Sequence, residues 1–557
     1  MKRKLLIIFF SLLGVFLIAT GFCSFSFKQK ANHRPLPSFY KKGAFHIHSS
    51  FSDGRGTIDE ICRDAKDSRL DFVILTDHGR PNPQSSAATS WNHDTLLIGA
   101  SEFSLHAGHL AAAGYRVPGY IFPPEPQEAI NEVERDGGVT FISHPLDAKI
   151  PWTNWQVRGF TGIEIMSLYQ MAKKNLLYGM TFFPLQYLFN PDYALTSLIY
   201  YPEKEMRILD RFNRFGKYYG IYALDSHAKL QFSKKTSLHF PSYGATFHIL
   251  NLYVKVEHEL EKDPHTAAAA IISAMRRGNF FNVIESLAPA NGFENYYLEK
   301  DGRLVDMGGD AQAVAGTLIF KMPFNFATNI VIKKDGEIFK TISANIRQEL
   351  SIPISRPGVY RAEISLASGR FKKLPWIMTN PIFIAQPAVE RKAPENTAGI
   401  ILADGENYFQ VEKNSRSSAA IHWAAQENEP PVVRFTFTLQ NEAPGQADFW
   451  AAMAHRQKLA SADYHGFVFE TRGSGRMRFW LQFRSGGGRG EAAYQHSFLV
   501  NEQWQKIAIP FSSFHRLYGP AAASALSAID SFFFLIDNGN AFPGARAEVF
   551  FRQIGLY

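Results

Sequence analysis

A chain of 557 residues is too long for one hydrophobic core, and about three domains are expected. With 46% hydrophobic and 20% charged residues it reads as folded, not disordered. The net charge of +8 comes without a dense basic tract, which argues against a nucleic-acid partner, and two cysteines, Cys23 and Cys62, exclude a disulfide framework or a thiolate metal site in the mature chain.

Lys2-Arg3-Lys4 precedes an uncharged apolar run from Leu5 to Phe27. Such a run is long enough to cross a bilayer, and the basic flank favours a cytoplasmic start. Ala19-Thr20-Gly21 offers a cleavage site, so residues 1–27 are a signal anchor or a signal peptide; the length of the run favours the anchor. The remainder is then exported. It is held at the inner membrane facing the periplasm or cell exterior, or secreted if the segment is cleaved. Residues 28–42 read as a polar, Pro-containing tether.

The stretch Phe45–Asp53 reads F-H-I-H-S-S-F-S-D. Alternate side chains of a strand share a face, so His46 and His48 are expected to point together. Thr57-Ile58-Asp59-Glu60 is a capping box opening a helix. Short apolar runs then end, one after another, in ligand-type residues. Phe72–Leu75 leads to Asp77-His78, Leu96–Gly99 to Glu102, Val139–Ile142 to Ser143-His144-Pro145, and Tyr219–Leu224 to Asp225-Ser226-His227. Runs of this kind are buried strands, and in βα repeats the C-terminal strand ends carry the active site.

Taken together, H-I-H-S-x-F-S-D-G, L-T-D-H, the later Glu, S-H-P and D-x-H resemble the PHP (polymerase and histidinol phosphatase) superfamily of metal-dependent phosphoesterases, over about Phe45–Ala290. The resemblance implies a multidomain α/β plus all-β chain whose residues 43–290 form a distorted (β/α)7 barrel with two or three divalent ions (Zn, Mn or Fe) at its mouth. By that resemblance His46, His48, Glu102 and Asp225 hold one ion, and Asp53, His78 and His227 a second. Glu102 bridges to a third with His144 and His109; the His109 segment carries one residue more than the family pattern. Asp77 is expected to orient a ligand through hydrogen bonds. Arg55 and Arg80 are candidates for gripping phosphoryl oxygens, each weighed against a solvated surface role. A hydroxide between the metals is the implied nucleophile. His93, His106, His239 and His248 have no motif support.

Met166–Tyr201 is an aromatic-rich insertion, with Tyr169, Tyr178, Phe182, Phe183 and Tyr187 among Leu and Pro. Two readings stand: a helical cap packed on the barrel, or an apolar lid suited to a lipid or aromatic substrate. Residues 291–385 change to alternating, turn-punctuated strands, an expected Ig-like β-sandwich. Residues 386–398 read as a linker. Residues 399–557, with Trp504–Phe511 and the terminal Ile554–Tyr557, resemble galactose-binding-like jelly rolls, including CIA30 and carbohydrate-binding-module relatives. Trp450, Trp480 and Tyr494 are candidates for stacking on a sugar, set against core packing.

The expected activity is hydrolysis of a phosphomonoester or phosphodiester on a small molecule, lipid or glycan, with a carbohydrate as candidate ligand of the C-terminal domain and the membrane as partner of the N-terminal segment. A metal-dependent amidohydrolase and an envelope-binding protein with the barrel as scaffold are the alternatives.

Overall fold

Helix α1 (Lys2–Phe25) covers most of the N-terminal apolar run, and Leu6, Phe9, Leu12 and Val15 on it are 59–65% exposed. Among the described residues no helix is long and apolar enough to cross a membrane. The computed structural model describes residues 2–25, 39–117, 119–175, 183–233, 236–323, 327–345, 349–385, 400–401, 409–424, 431–441, 449–461, 464–486, 491–519 and 528–557. Most of the expected tether (28–38 of 28–42), the 386–398 linker, Tyr178 and Phe182 lie outside them.

The first compact unit contains the described residues up to 116 and from 130 to 385. It opens with β1 (Tyr40–Ile47), α2 (Ile58–Asp67) and β2 (Phe72–Leu75), a βαβ unit with parallel strands. The capping box forms as the sequence predicts: Thr57 Oγ1 accepts from Glu60 N at 3.3 Å, and the Glu60 carboxylate accepts from Thr57 N at 2.8 Å. Ile61, Cys62 and Ala65 form the buried side of α2.

The chain continues through β3 (Ser90–Asn92), β4 (Thr95–Leu105), β5 (Gly108–Ala113), β6 (Val139–Ile142), β7 (Gly162–Ser167), β8 (Tyr219–Ala223), the hairpin β9 (Leu230–Ser233) and β10 (Thr236–Leu238), β11 (Leu250–Lys255) and β12 (Phe280–Ile284). In the main sheet the order is β12-β11-β1-β2-β4-β5-β6-β7-β8. Strands β1, β2 and β4 run parallel, as do β6, β7 and β8, while β5 is antiparallel to both its neighbours. A uniform seven-fold βα repeat is therefore not what the ladder contains. The two-residue turn His106-Ala107 joins β4 to β5, and so short a link makes a hairpin where a parallel crossover needs a dozen residues.

The end of β8 returns against β1 beside the candidate ligands. Leu224 N donates to Phe45 O (3.0 Å), Ser226 N to His46 O (3.1 Å) and His48 N to Ser226 O (2.9 Å). Along β8, Asn282 Oδ1 accepts from Tyr222 N at 2.8 Å while its Nδ2 donates to Gly220 O at 2.9 Å, so a buried side chain satisfies a strand edge.

Residues 291–385, expected as a separate Ig-like sandwich, share the first unit. Strand Ile377–Thr379 pairs with β12 in the main sheet, and buried Trp376 Nε1 donates to Ala288 O at 2.5 Å. The Arg361 guanidinium, 2% exposed, binds both Asp210 oxygens (2.9 and 2.8 Å) and Glu363 (2.6 Å), tying this strand region to the helix Glu203–Phe212.

The second compact unit holds the described residues of 117–129 and from 400 onward. Two antiparallel six-stranded sheets enclose a phenylalanine-rich core that includes Phe435, Phe469, Phe479, Phe483, Phe534 and Phe551. Trp480 and Tyr494 are 4% and 5% exposed. Tyr494 stacks on Phe483 and Trp480 Nε1 donates to Asp537 at 2.8 Å, so both take the packing role weighed against sugar stacking. Trp450 is half-buried. The 117–129 segment contributes Glu125 and Glu128, which accept from Ser497 Oγ at 3.0 Å each, and Glu128 pairs with His496 at 2.7 Å.

Candidate metal centre

His46 and His48 converge, but not by simple strand alternation. Pairing of β1 with β2 passes from Phe45↔Ile74 to Ile47↔Leu75, leaving His46 in a bulge with φ of 68°. The two Nε2 atoms end 3.0 Å apart. His144 (φ 28°) and Asp225 (φ 51°) also hold left-handed backbone. Such conformations cost about 1–3 kcal/mol each in a non-glycine residue and cluster where a side chain has to be aimed.

Glu102, on β4 and 1% exposed, is the hub. Its Oε1 lies 3.1 Å from His144 Nε2, 3.2 Å from His109 Nδ1 and 3.4 Å from His46 Nε2. Its Oε2 lies 3.1 Å from His78 Nδ1 and 3.5 Å from His48 Nε2. Asp225 Oδ1 is 3.7, 3.5 and 3.5 Å from His46, His48 and His227. Asp53 Oδ1 is 3.2, 3.6 and 3.8 Å from His227, His48 and His78. The nine residues named as metal ligands from the sequence are thus brought together. The tight groupings differ from those expected: His48 also joins Asp53, His78 and His227, His78 joins Glu102 and His109, and among the described residues Asp225 and His144 lie outside these tight groups.

The donor set fits divalent cations. His48 Nδ1, His78 Nδ1, His109 Nδ1, His144 Nδ1 and Glu102 Oε2 are buried without a hydrogen-bond partner, an arrangement that costs free energy unless a cation takes the lone pairs. Two nitrogens sharing one cation at ~2.1 Å sit roughly 3.0–3.4 Å apart, the spacing the His46 and His48 Nε2 atoms adopt. All donors are nitrogen or oxygen, which suits Zn, Mn or Fe.

Charge and burial compete at each group. Burial disfavours the His46 imidazolium, yet Glu164, Glu102 and Asp225 raise its pKa well above the ordinary value. His48 goes the other way: burial and the neighbouring His227 lower it to about 4. Burial opposes protonation of His144, but Glu102 raises it to about 9. For Glu102 burial raises the pKa, and His46, His109 and His144 outweigh it, holding the carboxyl well below the usual range.

Glu164 on β7 escaped the sequence reading. Its Oε1 lies 2.5 Å from His46 Nδ1 and its Oε2 accepts from His144 N at 2.7 Å, so one buried carboxylate fixes two candidate ligands. A charged residue inside the apolar run Gly162-Ile163-Glu164-Ile165 was the available signal. Asp77 binds Ser49 (2.8 Å from N, 2.7 Å from Oγ) and Ser52 (2.5 Å), not an imidazole; it holds the loop between His48 and Asp53. Tyr243 Oη donates to His48 O at 2.7 Å and accepts from Gly56 N at 3.0 Å, clamping the same loop. A Cβ at Gly54 would lie 2.2 Å from His48 O, so only glycine fits there. Arg55 is exposed, with its N–H donating to His227 O at 2.9 Å, and Arg80 is half-buried two residues past His78. Lys229 Nζ donates to Asp53 O at 3.1 Å.

No protein-family profile and no curated protein matches the chain. Among solved structures it is similar to a two-domain protein from Bacteroides vulgatus containing a predicted PHP-like metal-dependent phosphoesterase (14% identity, 64% of this chain and 98% of that one, TM-score 0.30). It is also similar to the family 11 carbohydrate-binding module of a Clostridium thermocellum cellulase (18% identity, 29% and 95% covered, TM-score 0.23). A third likeness is to the family 30 module of another cellulase of that organism (13% identity, 28% and 95% covered, TM-score 0.22).

Proposed function

We propose that this chain is a metal-dependent phosphoesterase whose centre is built on Glu102. The observation that carries this reading is one buried carboxylate facing five imidazoles, those of His46, His48, His78, His109 and His144, at 3.1–3.5 Å. His46, His48, Glu102 and Asp225 would hold one divalent ion, and Asp53, His78 and His227 a second, with His109 and His144 completing a third position on Glu102. Bound there, such ions supply Lewis-acid polarisation of a phosphoryl group and an acidified water as nucleophile.

The chain's own residues do the rest. Glu164 fixes the ring of His46 and the backbone at His144, and Asp77 and Tyr243 hold the loop that carries Asp53. Arg55, Arg80 and Lys229 stand within three residues of candidate ligands and are suited to an anionic substrate. That local positive charge favours a phosphoester over the neutral amide of an amidohydrolase.

The test is hydrolysis of 4-nitrophenyl phosphate and bis(4-nitrophenyl) phosphate by the Mn- or Zn-loaded full chain. We expect turnover of at least one ester and a loss of at least a hundredfold in His46→Ala. Bound metal without hydrolysis of either ester overturns the phosphoesterase in favour of an amidohydrolase, and absence of bound metal overturns the enzyme.

We further infer export, with the N-terminal segment as a tether. Lys2-Arg3-Lys4 before the apolar run, and its exposed apolar side chains, support this. Recovery of the full chain with the cytosolic fraction of the source cell would contradict it. A glycan remains the proposed ligand of the C-terminal unit.

A further inference from the structure

We propose that the substrate is an amphiphilic phosphoester, with its phosphate at the Glu102 centre and an apolar chain on its alcohol held in the cavity alongside; this rests on the phosphoesterase reading. The cavity, of about 380 Å3, has Asp225 and His227 in its wall, with Leu168, Leu195, Leu198 and Phe240 among the apolar residues that make up most of the rest. Its volume lies in the range of small-molecule sites.

Few of its lining groups are polar. At the metal-centre end the Tyr169 ring lies 5.2 Å from the His227 ring, and Lys173 Nζ sits 4.2 Å over the same tyrosine. Apart from the Asp225–His227 turn, Lys229 and Thr246, the lining is apolar or aromatic. An apolar space of this kind is poorly matched to water and well matched to hydrocarbon. Apolar side chains also continue onto the surface: Leu230, which lines the cavity, is 40% exposed, and its hairpin partner Leu238 is 54% exposed. In the helix Phe183–Phe189, Phe183 lines the cavity while Leu188 and Phe189 are 76% and 51% exposed. A hydrocarbon chain could follow these side chains from a micelle or bilayer into the cavity.

A larger cavity of about 1090 Å3 in the same unit has no candidate metal ligand in its wall. Three of its four cations are paired with carboxylates, Lys217 with Asp310, Lys255 with Asp306 at 2.6 Å and Arg277 with Glu257 at 3.0 Å, and the fourth, Arg276, donates to Glu134 O at 3.4 Å.

The test is calorimetric binding of butyl-, octyl- and dodecylphosphonate, each below its micelle concentration, to the metal-loaded full chain, beside hydrolysis of 4-nitrophenyl phosphate by the same protein. Burial of each methylene is worth roughly fourfold in affinity. Dodecylphosphonate should therefore bind at least a hundredfold more tightly than butylphosphonate. Ala172→Trp, which fills a half-buried lining position, should cut that ratio below tenfold and leave nitrophenyl phosphate hydrolysis unchanged. Leu230→Glu, at the exposed rim, is the variant less demanding of folding and should cut the ratio at least fivefold. Affinity independent of chain length, with nitrophenyl phosphate still hydrolysed, overturns the amphiphile and leaves the phosphoesterase standing. Chain-length-dependent binding without hydrolysis of any ester overturns the phosphoesterase, and the substrate assignment with it.

Discussion

Glu164 determines the ring orientation of His46 and, through His144 N, the aim of a second imidazole. Carboxylates placed behind a ligating histidine typically contribute ten- to a hundredfold to metal affinity, and Glu164→Gln should weaken binding by that factor in a competition titration. Protons compete for the same nitrogens. In the metal-free chain His46 stays protonated well above its ordinary pKa and His144 up to about pH 9, so at pH 7 both carry protons that a cation must displace. Metal binding should release protons and tighten as pH rises, and titration calorimetry in two buffers of different ionisation enthalpy reads this directly. His78, Glu102, His144, Asp225 and His227 stood out because each closes or closely follows a short apolar run, whereas Asp53 and His109 came only with the family resemblance. Glu164 did not stand out, because it lies inside its run, where a charge reads as an interruption of a strand.

At the scale of elements, β1 is the instructive case. Alternation in Phe45–His48 foretells two imidazoles on one face, yet the geometry depends on a bulge at His46, and a register slip leaves no trace in a pattern of apolar and polar residues. The hairpin from β4 to β5 was equally hidden, since the same apolar runs serve parallel and antiparallel neighbours. The capping box of α2 was readable because its two reciprocal hydrogen bonds join residues only three apart in the chain. Arg361 anchors a buried ion network in the first unit. Its guanidinium is buried against Asp210 and Glu363, and Arg361→Ala strips Asp210 of its bidentate partner while Glu363 keeps Lys333 and Tyr201. A loss of about 3–5 kcal/mol is expected, seen as a lowered first melting transition; an unchanged transition would contradict the role given to the pair.

Across the whole molecule, domain boundaries were the least legible feature. The strand texture changes near residue 291, but Ile377–Thr379 returns to pair with β12, and long-range pairing of that kind is invisible to local pattern. The 117–129 segment, read as part of the barrel, belongs to the second unit, where His496 faces Glu128, Glu125 and, through Glu128, Arg478. Burial opposes the charge on His496, but Glu128 raises its pKa above 6.5; its contribution to stability is full below that value and lost as pH rises through the raised one. Burial likewise opposes ionisation of Glu128, yet His496 lowers its pKa below 4.5, so that contribution is present above 4.5 and lost as pH falls through the lowered value. The second unit should accordingly melt higher at pH 6 than at pH 9, and His496→Gln should remove that difference.

Elemental analysis of the purified full chain beside Glu102→Gln bears most directly on the shared carboxylate among the imidazoles. Two or three divalent ions per wild-type chain are expected, with at least one lost in the variant. Less than one ion per wild-type chain, after growth and purification with Zn and Mn supplied, would contradict a metal centre at these residues.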